Sequence, residues 1–164
     1  HIEPLEAGQF GTVEPYAFQN NTRWIGFKLW VPILGFGWTE TVGGNAVLIV
    51  DPTPAVDDVL TELFATAAEF PINALLDHLS RVLPVLDGGR RRKEVEGRLD
   101  GSRWRETGPH EISVSLSAAL KALEATDHLV LEARSDAPQR DLLGRRHRKL
   151  GRVSHVRNGG LAGA

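Results

Sequence analysis

The sequence predicts an α+β, helix-rich fold with short β-hairpins. Three observations carry that expectation. Apolar residues recur at spacings of three and four over 55–68, 72–83 and 112–125, which is the period of an amphipathic helix. Short stretches at 38–41, 46–50, 128–134 and 151–157 are rich in β-branched and apolar residues, as strands are. Gly, Asn and Pro clusters separate these stretches and supply turn chemistry.

Residues 1–20 read as an N-terminal arm. Pro4, Gly8, Gly11 and Pro15 break any period, while Phe10, Val13, Tyr16 and Phe18 allow at most a short strand. A first helix starts after the capping pair Asn21-Thr22 and puts Trp24, Phe27, Val31 and Leu34 on one face. Its aromatic and β-branched content makes a strand the rival reading, and Pro32 sits awkwardly late in it. Leu34-Gly35-Phe36-Gly37 is a helix stop. Strands at 38–41 and 46–50 follow, joined by Val42-Gly43-Gly44-Asn45, where Gly and Asn tolerate the positive φ of a tight hairpin.

Asp51 or Thr53 can cap the next helix, with Pro54 at its first position. Val56, Val59, Leu60, Leu63 and Phe64 give that helix its buried stripe. Phe70-Pro71 reads as a bend into the helix at 72–83, which Pro84 and Asp87-Gly88-Gly89 end. Residues 87–110 form a charged, loop-rich insertion, with room for a short helix on Val95 and Leu99. In the helix at 112–125, Ser113 or Ser115 serves as cap, and Leu116, Ala119, Leu120 and Leu123 form the buried stripe. A strand at 128–134, a turn at Ser135-Asp136-Ala137-Pro138, a basic loop at 140–149 and a returning strand at 151–157 complete the chain. Residues 158–164 read as a Gly/Ala-rich tail.

Length and composition bound the function. The 164 residues suit one ordinary domain or two small ones, and a hydrophobic fraction of 41% suffices for a core. The absence of cysteine excludes disulfides and thiolate metal sites and fits a reducing cytoplasm. No apolar run approaches a membrane span, so neither a membrane nor a signal peptide is expected. The chain opens on His1 and contains no Met, which reads as a processed or cut piece of a longer protein. Charge is divided unevenly. Residues 1–89 carry 3 basic and 11 acidic side chains, a net of −8, and residues 90–164 carry 16 and 10, a net of +6. Such polarity points the second half at a polyanion, although a solvated basic face beside an acidic one would read the same way.

The strongest chemical constellation lies between Arg134 and Arg157, where eight Lys/Arg accompany only Asp136 and Asp141. Guanidinium groups hold phosphate oxygens through bidentate, charge-assisted bonds, so Arg134, Arg140, Arg145, Arg146, Arg148, Lys149 and Arg152 are candidate phosphate ligands. Ser115, Ser117 and Lys121 on the preceding helix are candidates to face a nucleic-acid groove. These short polar groups and the cation suit phosphates as well as base edges, and none is an Arg–guanine or Asn–adenine reader that would give direct readout. Arg90 to Lys93 form a second basic cluster, and Trp104 between Arg103 and Arg105 could stack on an unpaired base or anchor a core. The six histidines show no metal-binding spacing, and His147 sits among cations that would repel a metal, so no metal is assigned. Asp51 and Glu132 with a nearby cation leave a metal-dependent nuclease as the enzyme alternative. No phosphate-cradling GxxxxGK[ST] or GxSxG motif occurs, and no cofactor or small-molecule substrate is expected.

The order of helices at 55–68, 72–83 and 112–125 followed by a hairpin resembles a winged helix-turn-helix domain over residues 55–157, with the insertion at 87–110 as a departure. The helix, hairpin and Asp51-Pro52-Thr53-Pro54 exit at 21–53 resemble the tail of another such unit, giving two in tandem with the first partial. Leu34-Gly35-Phe36-Gly37-Trp38, Asp51-Pro52-Thr53 and Ser135-Asp136-Ala137-Pro138 are similar to stretches of winged-helix accessory proteins of bacterial anti-phage defence islands. That resemblance implies a part in a multi-protein DNA-handling defence complex, not free catalysis. The expectation is therefore a non-enzymatic cytoplasmic protein that binds duplex DNA, in defence or transcription regulation. A protein partner or homodimer is also expected, and a protein–protein adaptor of the same fold is the runner-up.

Overall fold

The computed structural model describes residues 21–99 and 105–161. The expected N-terminal arm, the Arg103–Trp104 pair and the last residues of the expected tail lie outside the described residues. The architecture is α+β, as expected, with short strands in three small sheets and helices around one core.

Helix α1 (Asn21–Ile33) ends in a Schellman motif. Gly35 takes φ +72°, the Phe36 N–H donates to the Val31 carbonyl at 2.9 Å, and the Gly35 N–H donates to that of Pro32 at 3.2 Å. A side chain at Gly35 would press on the Ala55 backbone, so glycine is required there twice over. Trp24 stacks on Phe27 and Val31 is buried, but Leu34, expected on the same face, is exposed because the chain has already left the helix. Strands β1 (Gly37–Val42) and β2 (Asn45–Val50) form the expected hairpin across Gly43-Gly44, both at positive φ.

Helix α2 (Thr53–Phe64) starts where Asp51 Oδ1 accepts from the Thr53 N–H and hydroxyl, at 2.8 and 2.6 Å. Helix α3 (Ile72–Val82) and α4 (Arg90–Glu96) follow. Within the described part of the insertion, the short helix for which Val95 and Leu99 left room spans Arg90–Glu96 and stops before Leu99. Helix α4 is held by charge pairing and buries no apolar residue, so it leaves no hydrophobic period to read. Helix α5 (Val114–Ala125) is capped by Ser113, whose Oγ accepts from the Leu116 N–H.

Phe70-Pro71 is not a plain bend. With Glu69 it forms β3 (Glu69–Pro71), an edge strand where a proline is tolerated. The expected basic loop at 140–149 is mostly sheet. Strand β6 (Arg140–Leu143) pairs in parallel with β4 (Glu111–Ile112) and antiparallel with β7 (Lys149–Val153), and only 144–148 form the connection. The returning strand divides at buried Ser154 into β7 and β8 (His155–Asn158). The Ser154 N–H donates to the Glu132 carbonyl at 2.7 Å, and its own carbonyl accepts from Ile72. One residue thus ties α3, β5 (Leu129–Glu132) and the bend together. Strand β8 lies between β3 and β5, both antiparallel to it. This order, with α2, α3 and α5 on one core, is consistent with a winged-helix-like architecture.

The core joins Val56 and Leu60 of α2, Ile72, Leu75 and Leu79 of α3, Leu116 and Leu120 of α5, and Val153 and Val156 from the two halves of the bent strand. No described helix is long and apolar enough to cross a membrane.

Candidate nucleic-acid interface

The β6–β7 hairpin turns through Arg145-Arg146-His147-Arg148. Arg146 and His147 both lie in the left-handed region, at φ 59° and 58°, and the Arg148 N–H reaches back to the Arg145 carbonyl at 3.4 Å. Two successive residues at positive φ inside this five-residue connection are a conformation that Asn-Gly or Gly-Gly adopts at least cost. Here it carries an arginine and a histidine, each paying the steric penalty of a Cβ at positive φ. The turn closes over Gly144, where a Cβ would lie 2.7 Å from the Leu150 side chain. Arg145, Arg146 and Arg148 are exposed, and among the described residues they make no ion pair.

The remaining expected phosphate ligands sit in different surroundings. Lys149 and Arg152 share Asp141, at 2.5 and 3.4 Å, and Lys149 above all holds that carboxyl below its usual range. Arg140 donates from Nε to Asn73 at 2.8 Å and is half-buried. Arg134 is engaged, bidentate to Glu69 at 2.7 and 2.6 Å and also bonded to Glu132. Glu69 first and Glu132 second raise its pKa above the ordinary arginine value, and the expected phosphate ligand is here a structural tie.

On α5 the expected groove face is only partly available. Ser117 is fully buried: its Oγ donates to the Ile112 carbonyl at 3.1 Å and accepts from the Leu143 N–H at 2.9 Å, joining α5 to β6. It cannot face a groove, because the sheet of β4, β6 and β7 covers that side of the helix. Ser115 is exposed beside the Ser113 hydroxyl at 3.2 Å, and Lys121 is exposed but bonded to Glu124. The open face otherwise carries Ala118, Ala122 and Ala125.

Sequence reasoning missed how α5 is anchored. Arg92, inside the second basic cluster, is largely buried and bonds Asp87, Glu96 and Thr107. The second oxygen of Asp87 accepts from the Ser113 N–H at 2.7 Å, so the insertion is tied to the first turn of α5. Nothing in a run of three arginines and a lysine marks which one turns inward. Arg105 pairs with Glu111 at 2.7 Å. Glu111 is held below its usual pKa first by the Gly108 N–H and then by Arg105. The carboxylates of the nuclease alternative are each in use, Asp51 by Thr53 and Glu132 by Arg134 and Arg157. Among the described residues no three His, Asp or Glu side chains converge as metal ligands.

A family model described as DpdG-like matches residues 1–137. No curated protein and no solved structure matches the chain. The match is consistent with a defence-island-associated protein and takes in the arm, the first hairpin and the helices through α5, whereas the basic hairpin lies after it. With most of its length matched, the chain belongs to the DpdG-like family.

Proposed function

We propose that this protein binds duplex DNA without catalysis, as a component of bacterial defence machinery. Its β6–β7 hairpin would clamp the phosphate backbone. The observation that carries the reading is the tip itself: three exposed arginines, without carboxylate partners among the described residues, on a connection that holds Arg146 and His147 at positive φ. Arg145, Arg146 and Arg148 are the principal ligands. Lys149 and Arg152 contribute less because Asp141 already neutralises part of their charge. Ser115 of α5 and, once freed from Glu124, Lys121 would add phosphate contacts. The alanine-rich face of α5 offers no base-edge reader, so binding is sequence-tolerant.

That same alanine face favours a second reading, in which α5 docks on a protein and the arginines meet an acidic partner. Salt dependence distinguishes the two. Anisotropy of a labelled random duplex should report binding whose logarithm falls with the logarithm of salt at a slope of about −3 or steeper. A variant with Arg145, Arg146 and Arg148 changed to Ala should lose most of that slope. A folded protein that binds neither duplex nor single strand at low salt would overturn the DNA reading and leave the adaptor.

A further inference from the structure

Residues 21–50 are short of charge and rich in exposed apolar surface. They carry only Arg23, Lys28 and Glu40, while charged residues make up 24% of the whole chain. Helix α1 turns Trp24, Phe27 and Val31 inward or sideways and leaves the opposite stripe of Ile25, Leu29 and Ile33 open, with Leu29 62% and Ile33 70% exposed. Of the thirteen large hydrophobic residues exposed among the described residues, nine lie between Ile25 and Val50, on α1 and the hairpin that follows it. Such a concentration of exposed apolar side chains in one segment of a folded protein is characteristic of interaction sites.

The hairpin identifies the occupant. Strands β1 and β2 pair only with each other, so among the described residues each leaves an open edge. A two-stranded hairpin exposed over most of its length is marginal alone. Its register makes Val42↔Asn45, Glu40↔Val47 and Trp38↔Ile49 the hydrogen-bonded pairs, as a two-residue loop requires. The N–H and C=O groups of Ala46, Leu48 and Val50 therefore point away from β1, ready for another strand. Strand β2, Asn45-Ala46-Val47-Leu48-Ile49-Val50, contains no charge, no proline and no bulge, the devices that normally protect an edge. Strand β1 carries Glu40, which two-fold pairing of β1 with itself would bring near its own copy. An uncharged strand can lie antiparallel to itself about a two-fold axis without like-charge repulsion, and such an isologous contact closes. Pairing β1 to β2 of another copy would instead propagate as an open filament.

We infer that a second copy of this chain covers the patch: β2 pairs antiparallel with β2 of its partner to make a four-stranded sheet, and the open stripe of α1 is buried beside it. The inference is independent of DNA binding and is tested without nucleic acid. Sedimentation equilibrium of the full chain across the micromolar range should report a dimer. Val47→Lys, a change at an exposed position, should shift it to monomer by setting like charges across the axis, with its far-UV circular dichroism unchanged. Because the chain has no cysteine, Val47→Cys supplies a single thiol, and a short bismaleimide should join it to its copy. Val85→Cys, also exposed but remote in sequence from the hairpin, should stay unjoined. A monomer throughout the range would overturn the inference, as would a dimer that Val47→Lys leaves intact or in which Val47→Cys joins no better than Val85→Cys.

Discussion

Arg146 is the residue at which stability and the proposed function pull apart. A non-glycine residue at positive φ costs on the order of 1 kcal/mol or more, and nothing in the described structure bonds to its guanidinium in compensation. Arg146→Gly should therefore stabilise the fold by about 1 kcal/mol, read as a higher denaturant midpoint at unchanged slope. The same variant should bind duplex more weakly, by one phosphate contact's share of the salt slope. A variant that is both less stable and unimpaired in binding would contradict the strained-tip account. The basic character of this tip was legible from residue types alone. Its division of labour was not, because Arg134 and Arg145 look alike until Glu69, sixty-five positions earlier in the chain, is brought against one of them. Ser117 fails as a groove residue for a related reason. Helical spacing gives a side chain its direction, but the sheet that covers it comes from β6, more than twenty residues on.

At the scale of elements, helices with an apolar stripe were readable, and their bounds moved by only a few residues: α2, α3 and α5 bury the leucines and valines that the period singles out. Elements without a stripe were read only in part, α4 as room for a short helix with other bounds and β3 as a bend. Strand β3 is three residues long and contains a proline, β4 is two residues long, and α4 has no buried residue. Helix α4 instead depends on charge, and its pairs are of two kinds. Arg90 meets Glu94 on the open surface, at 71% and 42% exposure, where solvent screens such a pair and it contributes little. Arg92 meets Asp87 and Glu96 with all three largely covered, and Asp87 also holds the first turn of α5. Arg92→Ala strands two carboxylates and should cost about 2–4 kcal/mol in chemical denaturation, while Arg90→Ala should stay within about 0.5 kcal/mol. Hydrogen exchange should quicken in α4 and at the start of α5 in the first variant only. Equal effects of the two substitutions would show that the Arg92 network anchors neither.

Across the whole molecule, carboxylates link elements that the apolar core leaves at the surface. Glu69 of β3 and Glu132 of β5 both bind Arg134, and Arg157 of β8 bonds Glu132, so one chain of charges crosses the sheet that closes the fold. Asp141 joins β6 to β7 through Lys149 and Arg152, and Glu111 holds the segment at 105–108 against the start of β4. The pKa values of all four carboxyls lie below their ordinary values of 4.5 for Glu and 3.8 for Asp. The leading causes are Arg134 for Glu69 and Glu132, the Gly108 N–H for Glu111 and Lys149 for Asp141. A depressed folded-state pKa means that the unfolded chain binds more protons in that range, so stability rises with pH there. The contribution is complete above the ordinary carboxylate values and is lost as pH falls through them to the depressed folded ones. Thermal unfolding should thus show a midpoint insensitive to these groups from neutrality to about pH 5.5, then a steady fall toward about pH 3. Glu69→Gln combined with Glu132→Gln should lower the midpoint at neutral pH and flatten the acid fall, because the protons that drive it no longer have those sites. A double variant whose acid fall stays as steep as the parent's would place the acid sensitivity outside this network.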